Sequence, residues 1–207
     1  AAVPNLAAFN SQALAATVGA YSTAGVGAPE LFDAVASEAL TRIGALSVQE
    51  LANLVWAFAS AGFQAPLLFE AISAEAASPR KLQQGRPQDL ANFVWAYAKA
   101  EIPAPDLFAA ASAVAQSNTS NFRPIDLANT LWAFSKAQGP DADKALFRAL
   151  AAECIFQVKA FQPLQLATTV WAYSNSGIAA PELFELIKEN REAHREAHRE
   201  PERPASR

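Results

Sequence analysis

The residue types that most often carry chemistry are few in this chain, and their spacing does little with them. Only two histidines occur, His194 and His198, at i and i+4, a spacing that sets two imidazoles on one helix face and could grip a metal ion. They stand in the charged run from Lys188 to Glu200, with no glutamate in the metalloprotease arrangement and no third ligand packed nearby, so the spacing reads as a solvated helix face. No histidine is left in the body of the chain to act as a base. The single cysteine, Cys154, cannot close an internal disulfide, and its setting in Cys154-Ile155-Phe156 predicts a buried, inert thiol. Phosphate-cradling glycine loops and paired-cysteine zinc spacings do not occur. The expectation is a protein without catalytic residues, metal, cofactor or small-molecule substrate, one that holds a partner and does not convert it.

What recurs instead is one phrase. It reads Leu51-Ala-Asn-Leu-Val-Trp56-Ala-Phe58, Leu90-Ala-Asn-Phe-Val-Trp95-Ala-Tyr97, Leu127-Ala-Asn-Thr-Leu-Trp132-Ala-Phe134 and Leu166-Ala-Thr-Thr-Val-Trp171-Ala-Tyr173, with a degenerate copy, Leu14-Ala-Ala-Thr-Val-Gly19-Ala-Tyr21. The leading leucines are 37, 39, 37 and 39 residues apart, and all four tryptophans are in register. A fixed period in this range marks a solenoid or array.

The elements that must position these residues follow from the same period. Leu51, Leu54, Val55 and Phe58 fall at i, i+3, i+4 and i+7, one apolar stripe on a first helix, A. Pro87, Pro124 and Pro163 suit its first position, Glu50, Asp89 and Asp126 favour its positive end, and Gly25, Gly62 and Gly177 can take the left-handed conformation that stops it. A second helix, B, begins at Pro29, Pro66, Pro105 and Pro181 and carries a Leu-Phe pair two residues on; in the fourth unit Gly139-Pro140-Asp141 predicts a longer turn. Two such helices cannot hide their apolar faces alone, so units must stack over one continuous core. The tryptophans are most simply read as part of that core, the alternative being exposed stacking surfaces for bases.

The fold expected is all-α, a right-handed α-solenoid of about five helix-turn-helix repeats of 37–39 residues. The array covers residues 1–187, with units near 9–45, 46–84, 85–121, 122–160 and 161–187, followed by a charged helical extension and disordered tail over 188–207. No apolar stretch approaches the roughly 18 residues needed to cross a bilayer, so membrane insertion is not expected. A chain that begins Ala1-Ala2-Val3-Pro4 and has no methionine has lost its initiator by processing or truncation, a removed targeting peptide being one cause.

The run Arg86-Pro-Gln-Asp-Leu-Ala-Asn-Phe-Val-Trp-Ala-Tyr-Ala-Lys-Ala100 resembles the consensus of the octotricopeptide repeat family, and Phe122-Arg-Pro-Ile-Asp-Leu-Ala-Asn-Thr-Leu-Trp-Ala-Phe-Ser-Lys136 is nearly as close. The likeness spans residues 9 to 187 and extends to the helical repeats found in front of RAP domains in organellar proteins. It implies a chloroplast or mitochondrial solenoid that binds organellar RNA, with helix A lining the inner surface. Carried over by position, the polar slot three before the tryptophan is Asn53, Asn92, Asn129 and Thr168. An asparagine there could read a base edge, or its amide could tie helix A to the adjacent repeat. Arg86 and Arg123 before helix A, with Lys99 and Lys136 near its end, could hold phosphates or be ordinary solvated cations.

Two functions are therefore open. One is an organellar RNA-binding module that takes single-stranded RNA along the concave face, about one nucleotide per unit. The other is a protein-interaction scaffold, an accessory subunit of a larger organellar complex such as a ribosome or photosystem. The net charge of −4 favours the second, because it removes the basic surface that usually announces a nucleic-acid binder.

Overall fold

Where each helix begins and ends is decided by a few residues that recur with the repeat. A computed structural model describes residues 6–197, and all its regular elements are helical. The first unit holds α1 (Ser11–Thr23) and α2 (Pro29–Leu40); the second α3 (Val48–Ala61), α4 (Pro66–Ala76) and a short α5 (Pro79–Leu82); the third α6 (Pro87–Ala100) and α7 (Pro105–Gln116). The fourth holds α8 (Pro124–Gln138) and α9 (Lys144–Gln157), and the fifth α10 (Pro163–Ser176) and α11 (Pro181–Ala197). This is an all-α helical-repeat solenoid with the A and B helices where the proline signals place them. Residues 198–207, which include His198, lie outside the described residues.

Each later A helix is capped by the side chain at its third position. Glu50 accepts the Ser47 N–H at 2.8 Å while the Ser47 hydroxyl accepts the Glu50 N–H at 3.3 Å, a reciprocal capping box. Asp89, Asp126 and Gln165 accept the N–H groups of Arg86, Arg123 and Gln162 at 2.9, 3.2 and 2.9 Å. Gly62 and Gly177 stop their helices at φ 68° and 63°, and in the third unit Glu101 stands in the glycine's place at φ 57°. The longer fourth turn is a 3-10 segment, Gly139–Asp141, after which Asp143 replaces the proline by accepting the N–H groups of Ala145 and Leu146 at 2.9 and 3.1 Å.

Successive A helices lie side by side and make the most extensive contacts in the molecule, α1 on α3, α3 on α6, α6 on α8 and α8 on α10, whereas successive B helices touch more sparsely. The close approach is possible because small residues stand in the seam: Ala52, Ala57, Ala91, Ala96, Ala128 and Ala133 are all fully buried. A stack whose A helices are closer than its B helices must curve toward the A side, which puts the A layer on the inner face.

The core between units is one aromatic contact used four times. The phenylalanine of each B helix meets the Phe or Tyr of the next unit's A helix edge to face: Phe32–Phe58 at 5.0 Å, Phe69–Tyr97 at 5.1 Å, Phe108–Phe134 at 5.0 Å and Phe147–Tyr173 at 5.1 Å. Where that ring is tyrosine its hydroxyl donates to the backbone oxygen of the phenylalanine it faces, Tyr97 to Phe69 at 2.6 Å and Tyr173 to Phe147 at 2.7 Å. The tryptophans belong to the core only in part, Trp56, Trp95 and Trp132 packing against it from its margin. Trp56, Trp95 and Trp132 are half-buried and Trp171 is 42% exposed. The reason is angular: two residues along a helix is about 200° around its axis, so when Phe58 and its equivalents point into the core the tryptophan two positions earlier points away.

Candidate nucleic-acid interface

The inner face of the A layer is built from four columns of side chains. At seven and three residues before the tryptophan, at the tryptophan itself and four beyond it, the side chains fall within about 60° of one another around the helix. Because the A helices run side by side, each position becomes a column across the array. The indoles form the central one. Trp95 and Trp132 stand 6.2 Å apart between ring centroids with 35° between their planes, and Trp132 and Trp171 are 6.4 Å apart at 32°. Trp56 occupies the same column in the second unit, and Gly19 leaves it empty in the first. The column thus presents partly exposed indole rings one unit apart.

Asn53, Asn92 and Asn129 form the neighbouring column, one helical turn toward the N-terminus, and each is half-buried. Among the described residues no protein group hydrogen-bonds to these three amides, so the expected tie between repeats is not made by them. That tie exists elsewhere: Ser135 donates to the backbone oxygen of Ala172 at 2.9 Å, and Asn175 donates back to the Ser135 oxygen at 3.1 Å, joining α8 to α10. Thr168 departs from the asparagine pattern, turning its hydroxyl onto the Leu164 carbonyl at 2.9 Å.

The four cations do not converge. Arg86 and Arg123 lie at the start of helix A and Lys99 and Lys136 thirteen residues later, about 20 Å along the axis, so the two sets stand at opposite ends of the A layer. Both arginines are already engaged. Arg86 donates to the buried Asp89 at 3.2 and 3.0 Å, and Arg123 to the buried Asp126 at 2.8 and 3.0 Å. Each guanidinium spends two of its five donors this way and keeps the rest toward solvent. The hydrogen bond and charge of the partner aspartate hold both arginines firmly protonated, yet each pair is neutral overall. Lys136 reaches across the seam to Glu101 at 2.8 Å, and that contact holds the Glu101 carboxyl below its usual range. Lys99 is exposed and makes no ion pair among the described residues. Among the described residues, the basic stripe of the sequence is a row of ion pairs with one unpaired ammonium. The i, i+3 spacing of arginine and aspartate was a legible signal for two of those pairs; the third joins residues 35 apart and had none.

Outside this face, Cys154 is 1% exposed and burial pushes its thiol well above the ordinary range, so it is inert as expected. His194 lies on α11. No helix of the described residues is long and apolar enough to cross a membrane.

Residues 38–200 match a protein-family model described as RNA-editing substrate-binding complex 6 protein, 163 of the 207 residues. The match takes in units two to five and leaves out α1, whose unit lacks the tryptophan. No curated protein matches the chain.

Proposed function

Since the chain belongs to the RNA-editing substrate-binding complex 6 protein family, we propose that it is an RNA-holding subunit whose A-layer face takes single-stranded RNA inside an RNA-editing assembly. The observation that carries this reading is the indole column: four partly exposed rings, one in each of units two to five, the first three beside asparagine amides with no protein partner among the described residues. Bases stack on such faces with little regard to sequence, and the asparagines stand where a base edge would come. The arginine pairs keep spare N–H donors for phosphate oxygens without adding net charge. Binding is therefore driven by stacking and carries a shallow salt dependence. The likeness to octotricopeptide repeats supports the same use of helix A and a chloroplast or mitochondrial setting. The work is capture, with no chemical step.

Titration of a labelled single-stranded RNA, read by anisotropy together with tryptophan fluorescence, tests this. The RNA should quench the indoles, and Trp132→Ala, which removes the rung between Trp95 and Trp171, should weaken binding about tenfold, from a stacking contribution of about 1–3 kcal/mol per base. Binding that is absent at low salt, or unchanged in the variant, removes the proposal. The second reading, a scaffold for protein, is favoured by one observation, the neutralised cations. It predicts association with an RNA-editing complex that survives nuclease treatment and the loss of no affinity on Trp132→Ala.

A further inference from the structure

The two ends of the array differ from its middle in a way that identifies which flank of helix A faces which neighbour. In units two to four the positions Leu51, Leu90 and Leu127, then Ala52, Ala91 and Ala128, then Val55, Val94 and Leu131 are at most 2% exposed, covered by the following A helix. In the fifth unit the same positions are Leu166 and Val170, half-exposed, and Ala167, exposed. They open onto an apolar groove of about 530 Å³ that also involves Phe161, Trp171 and Ile187. The opposite flank behaves likewise at the other end. Ala57, Ala96, Ala133 and Ala172 are 0% exposed, each against the preceding A helix, while their first-unit equivalent Ala20 is exposed. Phe58, Tyr97, Phe134 and Tyr173 are at most 1% exposed, while Tyr21 is 39% exposed.

The aromatic pair that joins units is broken at both ends in complementary halves. Phe184 of α11 holds the place of Phe32, Phe69, Phe108 and Phe147, but among the described residues its one aromatic neighbour is Tyr173 of its own unit, at 6.1 Å. Tyr21 holds the place of Phe58 and meets no ring from a preceding one among the described residues. We infer that the fifth-unit face of one copy receives the first-unit face of a second copy, with α1 of the second lying beside α10 of the first as α10 lies beside α8. The contact continues the interface already made four times within the chain: Tyr21 supplies the ring that Phe184 lacks, and Thr17 and Ala20 cover Leu166, Ala167 and Val170. The two surfaces differ, so the contact is heterologous and adds copies head to tail in open chains.

Sedimentation velocity of the full chain without RNA, from low micromolar to several hundred micromolar, tests it independently of any RNA reading. The wild-type protein should shift steadily to larger species with concentration. Val170→Glu and Ala20→Glu, each placing a carboxylate in one of the two faces, should each stay monomeric with an unchanged helical circular dichroism spectrum. An equimolar mixture of the two should form a dimer that grows no further, because each variant retains the one face the other lacks. A wild-type protein that is monomeric throughout overturns the inference. So does an Ala20→Glu variant that still self-associates, which would mean that two fifth-unit faces pair with each other, or a mixture that fails to pair.

Discussion

Replacing Asn92 and Asn129 together by alanine separates a base-reading role from a structural one by sign. In the fold these amides have no protein partner among the described residues and stand about 4.5 Å along the helix from the indole of their own unit, within reach of the edge of a base stacked there. If each amide makes one hydrogen bond to a base, worth about 1 kcal/mol net, the pair contributes about 2 kcal/mol and the double variant should bind single-stranded RNA on the order of thirtyfold more weakly. Stability should move the other way. No native hydrogen bond is lost, and alanine is a better helix former than asparagine by about 0.5 kcal/mol per position, so the melting temperature should rise by about 2–4 °C. Thermal unfolding and RNA anisotropy on the same preparation give both readouts. A variant that binds as tightly as the parent, or one that melts several degrees lower, would refute the reasoning and return the amides to the scaffold.

Three further changes test the surrounding structure. Glu101→Gly relieves a left-handed residue and frees Lys136, so the protein should melt higher, bind RNA more tightly at low salt and steepen its log–log salt dependence by about 0.7, the contribution of one phosphate on a single strand. Partial burial pushes the Asp143 carboxyl up, but hydrogen bonds from Ser112 and from the Leu146 and Ala145 N–H groups outweigh it and hold the group below its usual range. A depressed folded value means that its stabilisation is complete above the unfolded value of about 3.9 and is lost as pH falls through the folded one. Asp143→Asn should therefore lower stability at neutral pH in denaturant titrations, with the gap to wild type closing below about pH 4. Ala133→Leu forces bulk into the seam where α8 meets its neighbour and should cost about 1–3 kcal/mol in the same titration.

The sequence by itself determined the units, their helices and most of their ends, because these depend on neighbours a few residues away: a proline at the first position, an acid at the third, a glycine at the stop. It also contained the partial exposure of the tryptophans. Trp56 is five residues from Leu51, about 140° off the stripe that Leu51, Leu54, Val55 and Phe58 draw, so its place at the margin of the core was legible once size was not taken as a proxy for burial. What only the tertiary structure decided is what meets what between units. Whether Lys136 is a free cation depends on Glu101, and whether Leu166 is core depends on the presence of a following helix, although Leu51, Leu90 and Leu127 are buried in the same phrase. Local spacing fixes the direction in which a side chain leaves its helix. Burial and charge pairing are settled by the surface that arrives from the next unit.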